Sequence, residues 1–150
     1  MSRILIAIAL MAVLSPMARS ADNTITNQIR PMKIRLKIGD NILTATLADN
    51  RAAHDFVSLL PLTLTMNDLF GREKFGHLPR AISEEGKRTH TYQIGDIAYW
   101  SPGPDVAIYY HHDDSDKIPD PGVIVIGKID SSVETLNVRG AVKVTMEVME

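Results

Sequence analysis

The chain contains no cysteine. That absence excludes disulfide staples, thiol catalysis, a lipidated N-terminal cysteine and thiolate metal centres together, leaving histidines and carboxylates as the metal-ligating side chains. Aromatic residues are scarce, at 5% of 150 residues. No basic excess exists either, since 16 Lys and Arg stand against 18 Asp and Glu. Without a positive field to hold a polyphosphate backbone, nucleic acid is not an expected partner. The longest apolar run, Ile4 to Leu14, is barely half of the ~20 residues that a bilayer core requires. Phosphate-cradling glycine loops and a serine elbow flanked by glycine are also missing.

The N-terminus reads as an address. Ser2-Arg3 is a short positive start, the apolar run follows, and Ser15-Pro16 ends it before Ala18-Arg19-Ser20, which puts small residues just ahead of a cut at Ala21. Residues 1–20 are therefore expected to be a cleaved secretory signal, 21–31 a disordered polar leader, and 32–150 one domain. The mature product is expected in the periplasm or outside the cell with no membrane anchor. Losing Arg3 and Arg19 leaves fourteen bases facing eighteen acids, a net charge of -4.

From Met32 the apolar residues alternate at Ile34, Leu36 and Ile38, turn at Gly39-Asp40-Asn41, and alternate again at Leu43, Ala45 and Leu47, which predicts a hairpin with one buried face. Asp49 or Asn50 can cap a following helix of about three turns, in which Ala53, Phe56, Val57 and Leu60 share a face until Pro61. Leu62, Leu64 and Met66 predict another strand, and Asn67 to Gln93 reads as a long, partly ordered excursion of the kind that carries function. Ile97 to Trp100, Val106 to Tyr110, Val123 to Ile129 and Ala141 to Val148 are further strands, with a short helix over Ser131 to Leu136. Burying so many short strands favours a mainly β fold, a mixed sheet closed into a barrel of about eight strands with one or two helices capping its ends.

The stretch Asp55-Phe56-Val57-Ser58-Leu59-Leu60-Pro61-Leu62-Thr63-Leu64, then Gly71-Arg72-Glu73-Lys74 with Leu78-Pro79, then Gly95-Asp96-Ile97-Ala98-Tyr99 and Val106-Ala107-Ile108-Tyr109-Tyr110, resembles the small bacterial cyclophilin-like proteins from Met32 to about Glu147. The resemblance implies a cyclophilin-type closed barrel. One departure lies at Ser101-Pro102-Gly103-Pro104, where relatives would place an aromatic after the proline and here Trp100 precedes it. The Phe-His-Arg and Gln-Gly-Gly stretches of true prolyl isomerases are absent, so no catalytic residue carries over; Arg72 near Phe75 and His77 offers the right chemical types in a different order.

Arg72, Glu73, Lys74, Phe75 and His77 gather charge, aromatic surface and acid-base groups in the excursion, as a pocket mouth would. The competing expectation is a solvated loop whose Phe75 tucks into the barrel while Glu73 and Lys74 pair at the surface. Tyr99 and Trp100 should face opposite ways, as should Tyr109 and Tyr110, and Tyr99, Trp100 and Tyr110 are the aromatics expected to share a concavity with Glu73, Lys74 and His77. His111-His112-Asp113-Asp114-Ser115-Asp116 reads as a hydrated turn rather than a metal site, because adjacent strand histidines diverge and the calcium-loop glycine and terminal glutamate are missing. His54 reads as a surface helix residue. No cofactor or metal is expected.

The sequence thus points to an exported module that binds an unidentified small molecule or peptide, without catalysis. The alternatives are a peptidyl-prolyl isomerase of exported polypeptides and an accessory subunit offering an edge strand. Expression of the full chain in a Gram-negative host should yield a periplasmic product whose N-terminal residue, by Edman sequencing or intact mass, is Ala21; a membrane-bound form retaining Met1 would refute this.

Overall fold

The computed structural model describes residues 30–150. The signal expected over 1–20 and most of the leader lie outside the described residues. The strands are β1 (Lys33–Ile38), β2 (Asn41–Leu47), β3 (Leu62–Leu69), β4 (Glu73–His77), β5 (Arg88–Thr89), β6 (Asp96–Trp100), β7 (Asp105–Tyr109), β8 (Val123–Ile129) and β9 (Val142–Val148), with one helix, α1 (Arg51–Val57), and a 3-10 turn at Glu134–Leu136. Their order is β2-β1-β9-β3-β4-β7-β6-β8, and β8 returns to β2 through Ala45 opposite Ile129 and Leu47 opposite Gly127. Eight antiparallel strands therefore close into a barrel. The two-residue β5 pairs with the start of β8, on the edge that β2 takes further along.

Strand parity explains the interior. Ile34, Leu36, Ile38, Leu43, Ala45, Leu47, Leu64, Met66, Val144 and Met146 alternate with polar residues and fill the lumen, while Lys33, Arg35, Lys37, Thr63 and Thr65 face outward. α1 contributes Ala52, Ala53 and Phe56 to the same apolar cluster. In contrast, β6, β7 and β8 are buried on both faces. The cause is a second, smaller core outside the wall, where Tyr92, Ala98, Ala107, Tyr109, Ile118 and Val123 pack together beneath the chain that crosses from 110 to 122. A strand covered on both sides loses its polar alternation.

Four expectations need correction. The sheet is antiparallel at every pairing and not mixed. The helix is shorter than about three turns, because Ser58, Leu59 and Leu60 each bond a carbonyl three residues back and tighten its end before Pro61. The excursion from Asn67 begins as strand: β3 runs on to Leu69 and β4 follows. Its inward positions are Lys74 and Gly76, so the apolar alternation that announces a strand is absent. The segment after Ser131 forms only the 3-10 turn.

Asn50 joins helix to barrel. Its Oδ1 accepts from the Ala53 N–H at 2.8 Å, and its Nδ2 donates to the Val125 carbonyl at 3.0 Å, on the stretch of β8 between its pairings with β5 and β2. Asn50→Ala should cost about 2 kcal/mol, the sum of a lost helix cap and a stranded carbonyl, whereas Asn50→Asp keeps the cap and should lose about half as much. Urea denaturation of both variants checks this ordering.

Candidate functional site

The β3–β4 hairpin sets the site's edge. Phe70 and Gly71 both have positive φ, 56° and 63°, and the Arg72 N–H bonds the Leu69 carbonyl at 3.1 Å, the pattern of a two-residue hairpin turn that favours Asn or Gly at its first centre. A phenylalanine held there is strained by about 1–2 kcal/mol, and its ring is 74% exposed. The hairpin register then fixes which β4 residues face outward: Glu73 lies opposite Tyr109, Phe75 opposite Ala107 and His77 opposite Asp105. Trp100 on β6 lies opposite Asp105 from the other side.

All of these but His77 line a cleft of about 240 Å³ on the barrel wall. Ala107 forms part of its lining, with Phe75, Trp100, Tyr109, Ile118 and Val123 around it, and Phe70 and Arg72 at one end with Asp105 at the other. The covering segment is held down by Arg72. Its Nε donates to Glu73 Oε2 at 2.8 Å, and its Nη1 donates to Asp113 Oδ2 at 3.0 Å and to the Lys117 carbonyl at 3.1 Å. The guanidinium carbon also lies 5.5 Å from the ring centres of Phe70 and Tyr92. Tyr92 stacks on Tyr109 at 4.2 Å, and its hydroxyl donates to the His111 carbonyl and accepts from the Asp113 N–H.

Burial dominates the electrostatics at this end. It pushes the Glu73 carboxyl above its ordinary value even though the Arg72 ion pair pulls the other way. Burial likewise raises the Tyr109 hydroxyl, with the nearby Glu73 charge adding to it. Asp113 is held below the usual carboxylate range, chiefly by the backbone N–H of Asp116, with Ser115 and Arg72 assisting.

Of the sequence candidates, Arg72, Glu73, Phe75 and Trp100 come together at the cleft. His77 sits outside its lining, with Nδ1 3.1 Å from Asp105 Oδ1. Lys74, Tyr99 and Tyr110 do not share the concavity. They point into the lumen, as β-strand parity requires once Glu73, Trp100 and Tyr109 face out. Lys74 has no exposed surface: its Nζ donates to Asp68 Oδ1 at 2.9 Å and to the carbonyls of Val138 and Gly140, with the Tyr110 ring 5.3 Å away. The Tyr110 hydroxyl donates to the same Asp68 oxygen. Asp68 suffers from burial, but these bonds outweigh it and hold its carboxyl low. Glu73 and Lys74 therefore do not pair at the surface. Truncating either strands buried partners, a loss of about 3–5 kcal/mol by the rule for broken buried ion pairs. In the His111 to Asp116 segment, His112 Nδ1 lies 2.8 Å from Asp116 Oδ1 and its ring stacks on Tyr92.

Sequence reading missed Phe70, Asp105, Tyr109, Asp113 and Ile118. Asp113 and Ile118 reach the site from some forty residues beyond Arg72, which no local pattern announces. Tyr109 had a signal, its opposition to Tyr110, but the sign of that alternation comes from β4.

A closed antiparallel barrel with an outer-wall cleft, and without the isomerase stretches, defines a cyclophilin-type barrel protein. Residues 36–147 match the cyclophilin-like family, and the chain belongs to it. A hypothetical protein of Archaeoglobus fulgidus, solved in solution, is similar in structure with a TM-score of 0.63 and 25% sequence identity, over 79% of this chain and 95% of that one. No curated protein matches the sequence.

A titration follows from the raised Glu73 carboxyl. An unfolded glutamate titrates near 4.5 and the folded one above it, so Glu73's contribution to stability is full below pH 4.5 and is lost as pH rises through the folded value. Glu73→Gln removes that titration. Its urea midpoint relative to the parent should climb as pH rises from about 4.5 and then level off; a difference that stays flat from pH 4 to 8 would contradict the assigned direction.

Proposed function

We propose that the mature domain is an exported binding module that holds a ligand in the outer-wall cleft and performs no catalysis of its own. The observation that carries this reading is Phe70, exposed on a strained backbone at the lip of an aromatic cleft whose same end is fixed by the buried Arg72–Glu73 pair. A strained backbone and an exposed aromatic at one rim favour a contact made with something else. The signal-like N-terminus supports export.

Two features favour binding over isomerisation. Rotation about an X-Pro bond needs an arginine donor that can follow the prolyl nitrogen, and Arg72, although its Nη2 is open, is pinned through Nε and Nη1 to Glu73, Asp113 and the Lys117 carbonyl. The sequence stretches that carry the isomerase donor are also lacking. Barrel architecture by itself does not decide between the two.

The test pairs a neutral solvatochromic dye, Nile red, with the Phe70→Gly variant. Glycine accepts positive φ freely, so stability should stay within about 1 kcal/mol of the parent while dye affinity falls about fivefold or more. Unchanged dye binding, or a variant that unfolds, would make Phe70 a structural residue. In parallel, the protein should leave the cis-to-trans relaxation of a short Ala-Pro-Phe peptide at its uncatalysed pace of tens to hundreds of seconds, measured by proton exchange spectroscopy or coupled proteolysis. Acceleration would turn the reading to an isomerase.

A further inference from the structure

We propose that the Arg72 end of the cleft recognises an uncharged amide edge, a primary carboxamide or a lactam, carried on a flat ring that rests over Ala107. The inference rests on the reading of the cleft as a ligand site and narrows it to one chemistry.

Three polar atoms at that end have no protein partner among the described residues. Tyr109 is only 2% exposed, yet its hydroxyl makes no hydrogen bond to the protein, and it is not among the sealed, partnerless atoms, of which Arg88 Nη1 is the one found among the described residues. Tyr109 is one of the residues that line the cleft. Arg72 binds protein through Nε and Nη1, leaving Nη2, which shares the Nε edge of the guanidinium, as an open donor. Glu73 accepts through Oε2 and leaves Oε1 open. Buried polar groups in folded proteins are almost always satisfied, so a nine-tenths buried tyrosine with an unused hydroxyl marks a place where a ligand completes the bonding.

The arrangement of these atoms selects the ligand. Glu73 and Tyr109 face each other across the β4–β7 ladder, and the Arg72 guanidinium carbon lies 5.9 Å from the Tyr109 ring centre. Neighbouring residues at this end thus supply two donors and one acceptor. An amide edge is the complement: its carbonyl accepts from the Tyr109 hydroxyl and Arg72 Nη2, and its N–H donates to Glu73 Oε1. Charge decides against the ionic alternatives. A carboxylate would meet Glu73 and Asp113 behind a guanidinium they already neutralise, and an ammonium would have to sit against that guanidinium. The space beyond is lined by Ala107, Phe75, Trp100 and Ile118, which suits a ring and not a hydrated chain.

Four probes of one shape test this: benzamide, benzoate, benzylamine and acetophenone, titrated into the purified mature protein. The readouts are the indole N–H resonance of Trp100, the single tryptophan, and displacement of Nile red. Benzamide should shift the resonance with a Kd on the order of 1 mM, as befits so small a ligand, and the other three should bind about tenfold more weakly. Tyr109→Phe should melt at or above the parent temperature, since it removes a hydroxyl that bonds nothing among the described residues, and should weaken benzamide and acetophenone alike, about fivefold, because both present a carbonyl, while leaving Nile red less affected. Benzoate or benzylamine binding as well as benzamide would overturn the inference. So would benzamide affinity that is unchanged in Tyr109→Phe, or dye binding that benzamide does not displace; in the last case the cleft remains a ligand site of another chemistry. If neither the dye nor any probe binds, the ligand-site reading fails together with it.

Discussion

Arg72 is the residue on which the outer half of the molecule depends. The barrel wall formed by β4, β7 and β6 would present Tyr109, Ala107 and Phe75 to water if the chain from 110 to 122 did not lie across it. That crossing segment is irregular and contributes few apolar side chains, chiefly Ile118. The guanidinium holds it at two points, Asp113 and the Lys117 carbonyl, and the third bond, to Glu73, ties the same cation to the wall. Planar, permanently charged and flanked by aromatic faces, an arginine fills that position where a lysine could not.

Glu73 and Lys74 show how one register places two buried charges in unrelated roles. Adjacent on β4, they point to opposite faces. Lys74 closes the lumen by bonding the carbonyls of Val138 and Gly140, so the loop ahead of β9 is tethered from inside the barrel. Glu73 belongs to the outer network and borders the cleft. A one-residue slip in the β3–β4 hairpin would exchange them, and the turn at Phe70 and Gly71 is what prevents it.

How much was legible in the sequence depended on burial. β1, β2, β3 and β9 each have one wet face, so Ile34-Leu36-Ile38 or Leu62-Leu64-Met66 announce themselves by alternation. β8 was legible as a short apolar run between turns. β4 was hidden because its inward positions are a lysine and a glycine, and at Gly76 space is tight: a Cβ would come within 3.2 Å of the Leu64 and Met66 side chains. At the cleft, Arg72, Glu73, Phe75 and Trp100 could be named from local chemistry. Tyr109 was passed over for Tyr110, because pairing to β4, and not the dipeptide itself, decides which ring faces out. Asp113 and Ile118 arrive through tertiary packing alone.

The place of β9 has a consequence for how the molecule comes into being. The ninth strand in the chain is third in the barrel order that starts at β2, inserted between β1 and β3, and contacts such as Arg35 with Glu147 span 112 residues. Until that last strand exists, β1 and β3 each expose an unpaired edge and the lumen stays open. Barrels wired by such distant pairings fold slowly, since the long loop must close before its contacts are gained. The closed barrel is therefore out of reach until the C-terminal strand has been synthesised, and before then only its local hairpins can pair.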